Sequence, residues 1–230
     1  YDEGHGNEFG VHTHSPLDPA PDGNNPPLNV PDVPAVFEAG RSFPVPVVSF
    51  DLLDNYANET LALAEIDGMV LENSGDEGYD INLNTDDTLD IRIVTAVSPD
   101  CRCDEDGHWK WCATYGIDTE FGYDLASATP PNGIVFVKDN VWIDGQIDGN
   151  RINIVAFEEP LAGNSSNIII NNDLLYTNYD GSDSIGLVAQ SNVLFGLYME
   201  DDLRVDAAIV AKEQKWGRYN YANSNCDPHR

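Results

Sequence analysis

The sequence predicts a mainly β protein: a short right-handed parallel β-solenoid of three to four coils with a small N-terminal α+β cap. Two observations lead there. Four segments of similar texture follow one another after Pro131, and strands of alternating apolar and polar residues precede them. A third narrows the cap, because one stretch alone carries clear helical periodicity.

Residues 1–48 hold most of the prolines, in runs such as PLDPAPDGNNPP. Proline removes a backbone donor and fixes φ, so this part is expected to be an extended arm without regular structure. The arm starts at Tyr1 with no Met, basic or apolar leader, and reads as a processed product or an excised fragment of something longer.

A cap is expected over 49–129. Phe50, Leu53, Ala57, Leu61 and Ala64 recur every three or four residues, with Asp51 placed as N-cap, which predicts a helix from Ser49 to Ile66 ending before Asp67-Gly68. A helix of that length needs a packing partner, and a sheet is the expected one. Tyr79, Ile81 and Leu83 then alternate with polar residues, as do Leu89, Ile91, Ile93, Thr95 and Val97. The turn Asn84-Thr85-Asp86-Asp87 between them predicts an antiparallel hairpin with one wet face. Trp109 and Trp111 sit two apart, on one face of a short strand, and Ile117 to Phe121 marks another.

The solenoid and tail are expected over 130–230. The segments IVFVKDNVWI (134–143), NIIINNDLLY (167–176), GLVAQSNVLF (186–195) and AIVAKEQKWG (208–217) superpose with offsets of 33, 19 and 22 residues. A period near 20 suits one coil of a β-solenoid. In this alignment Asp139-Asn140, Asn172-Asp173 and Ser191-Asn192 form corners, since Asn and Asp tolerate tight backbone. Ile152 to Phe157 is expected as a third strand of the first coil. An antiparallel sandwich with look-alike strands is the rival architecture.

Composition limits the partners. The 230 residues include 40 acidic and 11 basic side chains, a formal net charge of −29. A polyanion or an anionic membrane surface meets like-sign repulsion, so no nucleic acid and no membrane insertion is expected. No apolar run reaches bilayer length. The 41% of hydrophobic residues is enough to build a core.

The cysteines are Cys101, Cys103, Cys112 and Cys226. Disulfides in an oxidising compartment are expected, with Cys103–Cys112 closing a hairpin and Cys101–Cys226 tying back the tail; other pairings stay open. Zinc on Cys101, Cys103, His108 and Cys112 is the alternative, at a spacing uncommon for that metal. Sequons occur at Asn58 and Asn164. No cofactor is required, and calcium is the candidate structural ion. Asp180 and Asp183, or Asp104 and Asp106, offer oxygen ligands, though neither loop has EF-hand spacing, and solvated acidic turns are the favoured reading. Trp142, Trp216, Tyr219 and Tyr221 form a candidate ligand platform for sugars, with internal packing as the other reading. Asp139, Asp144, Asp148, Asp173, Asp180 and Asp183 could in principle supply a hydrolytic carboxylate pair. With so many acids such neighbours arise by chance, and no nucleophile elbow, metalloprotease motif, P-loop or dinucleotide fingerprint is present. The expected function is therefore non-catalytic.

The stretches NGIVFVKDNVWIDGQIDGNRINIVAF, NIIINNDLLYTN, DSIGLVAQSNVLF and DDLRVDAAIVAKEQKWGRY resemble the extracellular β-helical domain of bacterial prepilin-like (PilX-type) surface proteins, over about residues 45–221. That resemblance implies a secreted or cell-surface structural or adhesion domain of a pilus-like or filament-associated protein. Its partners would be other copies of itself, pilus or surface proteins, or glycans. The alternative function is a carbohydrate-binding or carbohydrate-cleaving β-helix.

Overall fold

The structure is a computed structural model describing residues 11–12, 41–42, 53–105, 108–158, 166–200 and 202–221; for 11–12, 41–42, 53–54, 104–105, 108 and 122–126 it describes the backbone alone. The chain falls into two units, 1–50 and 51–230. In the first, β1 (Val11–His12) and β2 (Arg41–Ser42) pair in parallel. The rest of the expected arm lies outside the described residues.

The second unit is mainly β, with parallel and mixed sheets. Its elements begin with α1 (Leu53–Asp67), β3 (Met69–Leu71), β4 (Gly78–Leu83), β5 (Thr88–Val97) and β6 (Cys101–Glu105). Next come β7 (His108–Cys112), β8 (Ile117–Ala128), β9 (Ile134–Val137), β10 (Val141–Ile147) and β11 (Arg151–Ala156). The last are β12 (Ile168–Tyr176), β13 (Ser184–Ala189), β14 (Val193–Phe195), β15 (Ala208–Ala211), β16 (Trp216–Gly217) and β17 (Asn220–Tyr221).

From β9 to β16 successive strands alternate between two sheets. A five-stranded sheet runs β15-β13-β11-β9-β3, all parallel. A seven-stranded sheet runs β16-β14-β12-β10-β4-β5-β8; it is parallel as far as β4, after which β5 and β8 add antiparallel strands. One core is formed by side chains of both sheets, among them Ile81, Ile143, Ile154, Ile168, Leu187 and Val193, all fully buried. Strands buried this deeply read as near-continuous aliphatic runs, which is why IVFV, NIIIN and GLVA look alike.

The registers correct the repeat alignment. Ile134 is level with Asn153, Gly186 and Ala208 in the five-stranded sheet, whereas Ile168 is level with Val141 and Val193 in the seven-stranded one. NIIINNDLLY is therefore the counterpart of VWIDGQI, and the stretch expected as a third strand, Ile152 to Phe157, supplies β11 as the counterpart of IVFV. The corner is Asn167, while Asn172-Asp173 stand inside β12. Apolar residues on both sides of a polar triplet let two different superpositions score alike.

These corners are joined by side chains. Asn140, Asn167 and Asn192 each precede a strand of the seven-stranded sheet. Asn167 Nδ2 donates to Asn140 Oδ1 (3.0 Å), and Asn192 Nδ2 donates to Asn167 Oδ1 (2.8 Å). The column ends on backbone at both sides: Asn140 Nδ2 donates to the Glu77 carbonyl (3.1 Å), and the Lys215 N–H to Asn192 Oδ1 (3.3 Å).

The expected helix forms, and Ala57, Thr60, Leu61 and Ala64 are its buried positions. It covers the outer face of the five-stranded sheet, packing on Phe136, Val155, Phe157 and Val188. Asp51, the expected cap, lies outside the described residues. At the other end a Cβ on Gly68 would sit 2.5 Å from Ala64 Cα and 2.8 Å from the Ile134 carbonyl, so only glycine fits where helix meets sheet. The expected hairpin is also present, as β4 and β5 with Asp87 in left-handed backbone (φ 62°). The sequence reading makes this hairpin part of the N-terminal cap. Instead β4 pairs in parallel with β10, and β3 with β9, so residues from 49–129 and from 130–230 share both sheets.

Candidate functional site

The outer face of the seven-stranded sheet, opposite the core, carries the polar chemistry. Alternation along β4 and β10 turns Asp80, Asn82, Trp142 and Asp144 outward, because Ile81, Leu83, Ile143 and Ile147 turn inward.

At one end lies a carboxyl cluster. Asp80 is level with Arg92 on β5, and Asp144 is level with Asn82 on β4. Arg92 NH1 lies 3.3 Å from Glu120 Oε2 on β8 and 4.0 Å from Asp80 Oδ2. Asn82 Nδ2 donates to Asp144. Asp80 is 8% exposed, and its Oδ1 has no hydrogen-bond partner. Burial, then the charges of Asp144 and Glu120, push the Asp80 carboxyl up to about 7, against the downward pull of Arg92. Asp144 is also raised, by burial, with the Asn82 amide opposing. Asp80 can therefore hold or release a proton near neutrality.

The middle is apolar: Trp142 packs with Val94 and Ile169. The sequence places Trp142 on a surface platform; the structure buries it instead. Its indole is 2% exposed, and Nε1 donates to the Tyr115 carbonyl at 2.7 Å. An outward position on a sheet does not guarantee exposure when a later loop covers that face.

At the other end, segments 98–99, 115–118 and 196–198 with Asn171 enclose a pocket of about 510 Å³. Ser98 N–H donates to the Gly116 carbonyl (2.7 Å), Thr114 Oγ1 to the Ser98 carbonyl (3.1 Å) and Leu197 N–H to the Thr114 carbonyl (2.9 Å). These bonds tie the three segments into one wall. Tyr115 is held in left-handed backbone at φ 55°, a conformation that costs a β-carbon-bearing residue on the order of 1–2 kcal/mol. Burial and then the neighbouring Tyr219 push its hydroxyl up to about 12. Asn171 faces the pocket by alternation with Ile169, at the point where the register of β10 with β12 shifts between Ile143 and Gly145. There Ile143 is level with Ile170 and Gly145 with Leu174, so a bulge at 171–173 faces Asp144.

Of the other platform residues, Trp216 is 65% exposed on β16, edge-on to Phe195. Tyr219 is half-buried under Lys215 Nζ, 4.2 Å from its ring, and lies beside Tyr115. Tyr221 donates its hydroxyl to the Ala113 carbonyl (2.7 Å).

Asp183 is 5% exposed and accepts three backbone N–H groups: Gly149 (2.5 Å) and Asn150 (3.2 Å) on Oδ1, Asn178 (2.6 Å) on Oδ2. Asp180 accepts from Ser182 N–H (2.9 Å) and Oγ (2.7 Å) within its own turn. Both carboxylates thus organise turns. No group of three or more His, Cys, Asp or Glu side chains suited to a metal occurs among the described residues. The Asp104 side chain and all of Asp106 lie outside them.

Cys103 and Cys112 form a disulfide, Cα–Cα 5.9 Å, across the β6–β7 hairpin. That bond uses two of the four ligands a zinc site would have needed. Cys226 lies outside the described residues, and so does Asn164. Asn58 is exposed on α1, while Thr60 of its sequon is 4% exposed. Trp109 and Trp111 on the hairpin are 56% and 61% exposed.

Of these groups the sequence marks Asp144 as a candidate acid, whereas Asp80, Glu120 and the pocket emerge only from the fold. Period-two alternation was the available signal for Asp80; the meeting of 98, 115, 171 and 198 left none. No helix among the described residues is long and apolar enough to cross a membrane. No protein-family model, curated protein or solved structure matches this chain.

Proposed function

We propose that this chain is an extracellular or cell-surface structural and adhesion domain built on a short parallel β-solenoid, acting by binding and not by catalysis. The observation that carries the reading is the strand alternation: from β9 to β16 each strand's parallel neighbour is the strand two positions along. A chain that coils in this way stacks like residues above like and offers an extended, rigid outer wall. The asparagine column at the corners supports the coil reading, and the disulfide in the β6–β7 hairpin supports an oxidising compartment. The resemblance to prepilin-like surface proteins adds a pilus or filament setting, with other copies or surface proteins as partners.

Protease shaving of intact source cells tests the location, with an antibody to this chain as readout. Release before lysis is the expected result; protection until lysis overturns the surface reading. Beads coated with the protein should adhere to cells more than beads coated with a β-protein of similar charge. Equal adherence would remove the adhesion role.

A further inference from the structure

We propose that the pocket between Tyr115, Tyr198, Asp118 and Asn171 binds an uncharged saccharide residue through its hydroxyl groups. Reading the chain as an adhesion module gives this binding its biological sense, but the binding itself can be measured on the isolated protein.

Size is the first argument. About 510 Å³ is within the range of pockets that enclose small ligands, and it leaves room for one or two sugar rings.

Polarity is the second. Asp118 and the Asn171 amide line the pocket, and neither side chain hydrogen-bonds to another described residue. A point above Gly196, where a Cβ would sit, lies 3.7 Å from Asn171 Oδ1 and 3.8 Å from both the Thr114 and Tyr115 carbonyl oxygens. The two carbonyls already accept from Leu197 N–H and Trp142 Nε1, so the acceptors open to a ligand are Asn171 Oδ1 and the Asp118 carboxylate, and the matching ligand brings donors. Vicinal hydroxyls meet that description. A site built to bond hydroxyls discriminates strongly against analogues lacking them, because its own polar groups would be left unpaired.

Charge is the third. No Lys or Arg lines the pocket, and the chain carries a formal −29. Sulfated, phosphorylated and uronic-acid sugars would meet repulsion with no cation to receive them.

The fourth argument is aromatic surface held in advance. The Tyr198 ring lies against Gly116, where an added Cβ would be 2.4 Å from Cδ2, so the absence of a side chain seats the ring. Tyr198 remains 41% exposed and can offer an aromatic surface to the C–H face of a sugar. The hydrogen bonds joining 98, 114, 116 and 197, with the Trp142–Tyr115 bond behind them, keep the wall in place before a ligand arrives.

The test uses the intact 230-residue chain on an array of neutral oligosaccharides built from glucose, galactose, mannose and N-acetylglucosamine, followed by titration calorimetry on any that bind. Binding of at least one neutral sugar is expected, and Tyr198→Ala and Asp118→Asn should each weaken it tenfold or more. Trp111→Ala, on the hairpin, should leave it unchanged. Circular dichroism checks that each variant folds; if Tyr198→Ala does not, Asp118→Asn alone decides. The proposal is overturned if no neutral sugar binds at millimolar concentration, if choline binds instead, or if affinity falls in Trp111→Ala and survives in Asp118→Asn. Sugar binding by a chain that shaving finds inside the cell would overturn the surface reading and keep this one.

Discussion

The Trp142 indole N–H donates to the Tyr115 carbonyl across 27 positions of sequence, and this bond joins the outer face of the seven-stranded sheet to the loop that walls the pocket. Trp142 fills the space beneath the loop with apolar surface, while its one polar atom meets a carbonyl that strained backbone presents. Replacing Trp142 by Phe keeps much of the packing and leaves that carbonyl unpaired. The expected cost is roughly 1–3 kcal/mol in urea unfolding. Amide hydrogen exchange should rise in 114–117 and stay unchanged in β9 and β11. Uniform acceleration across both sheets would show that the indole supports the whole core and not the loop.

The asparagine column should behave as one network. Asn167→Ala removes an acceptor for Asn192 and a donor to Asn140 together, so a loss of roughly 2–3 kcal/mol is expected. Asn178→Ala serves as comparison, since its amide donates to exposed Asp148 at 2.7 Å and should matter by less than about 1 kcal/mol. Equal effects in chemical denaturation would mean that stacking at the corner adds nothing to an ordinary surface bond.

Asp183 is expected to act without calcium. Its oxygens already receive three backbone N–H groups, so Asp183→Ala should lower stability by roughly 2–4 kcal/mol. Chelator should leave the wild-type Tm where it is. A calcium-dependent rise in Tm that disappears in Asp183→Asn would assign this carboxylate to an ion.

Asp80 predicts a pH dependence of definite sign. Its folded-state value, about 7, stands above the ordinary 3.8, so the folded protein holds this proton more tightly than the unfolded chain. The associated stability is full below about pH 4 and is lost as pH rises towards 7. Asp80→Asn cannot lose the proton. Its stability relative to wild type should therefore grow between pH 4 and 8, by an amount on the order of a few kcal/mol. Parallel curves for the two proteins would refute this assignment.

The extent to which this fold could be read beforehand follows from the range of each interaction. The helix was legible because Ala57, Leu61 and Ala64 face one way within a few turns, and the β4–β5 hairpin because Tyr79, Ile81 and Leu83 alternate beside a turn. Parallel neighbours are set by contacts between distant segments, and aliphatic runs match one another in more than one register. IVFV accordingly aligns with NIIIN in sequence, whereas its neighbour on β11 is NIVA. Trp142 looked like a surface aromatic because nothing near it in sequence announces the Tyr115 loop. Asp118 and Asn171, more than fifty positions apart, come together only when the segments 98–99, 115–118 and 196–198 meet over β12. Local pattern reached the elements; their meeting points depended on closure.

The asparagine column has one more consequence. A carboxamide can receive a bond from one neighbour and hand another on, so a column of them could in principle lengthen without limit, as stacked asparagines do in fibrils. Here Glu77 and Lys215 enter through backbone atoms alone. Neither has a carboxamide with which to relay the pattern, so they act as terminators at the two ends of a ruler. Substituting Lys215 by Asn would place a fourth carboxamide at the end of that row.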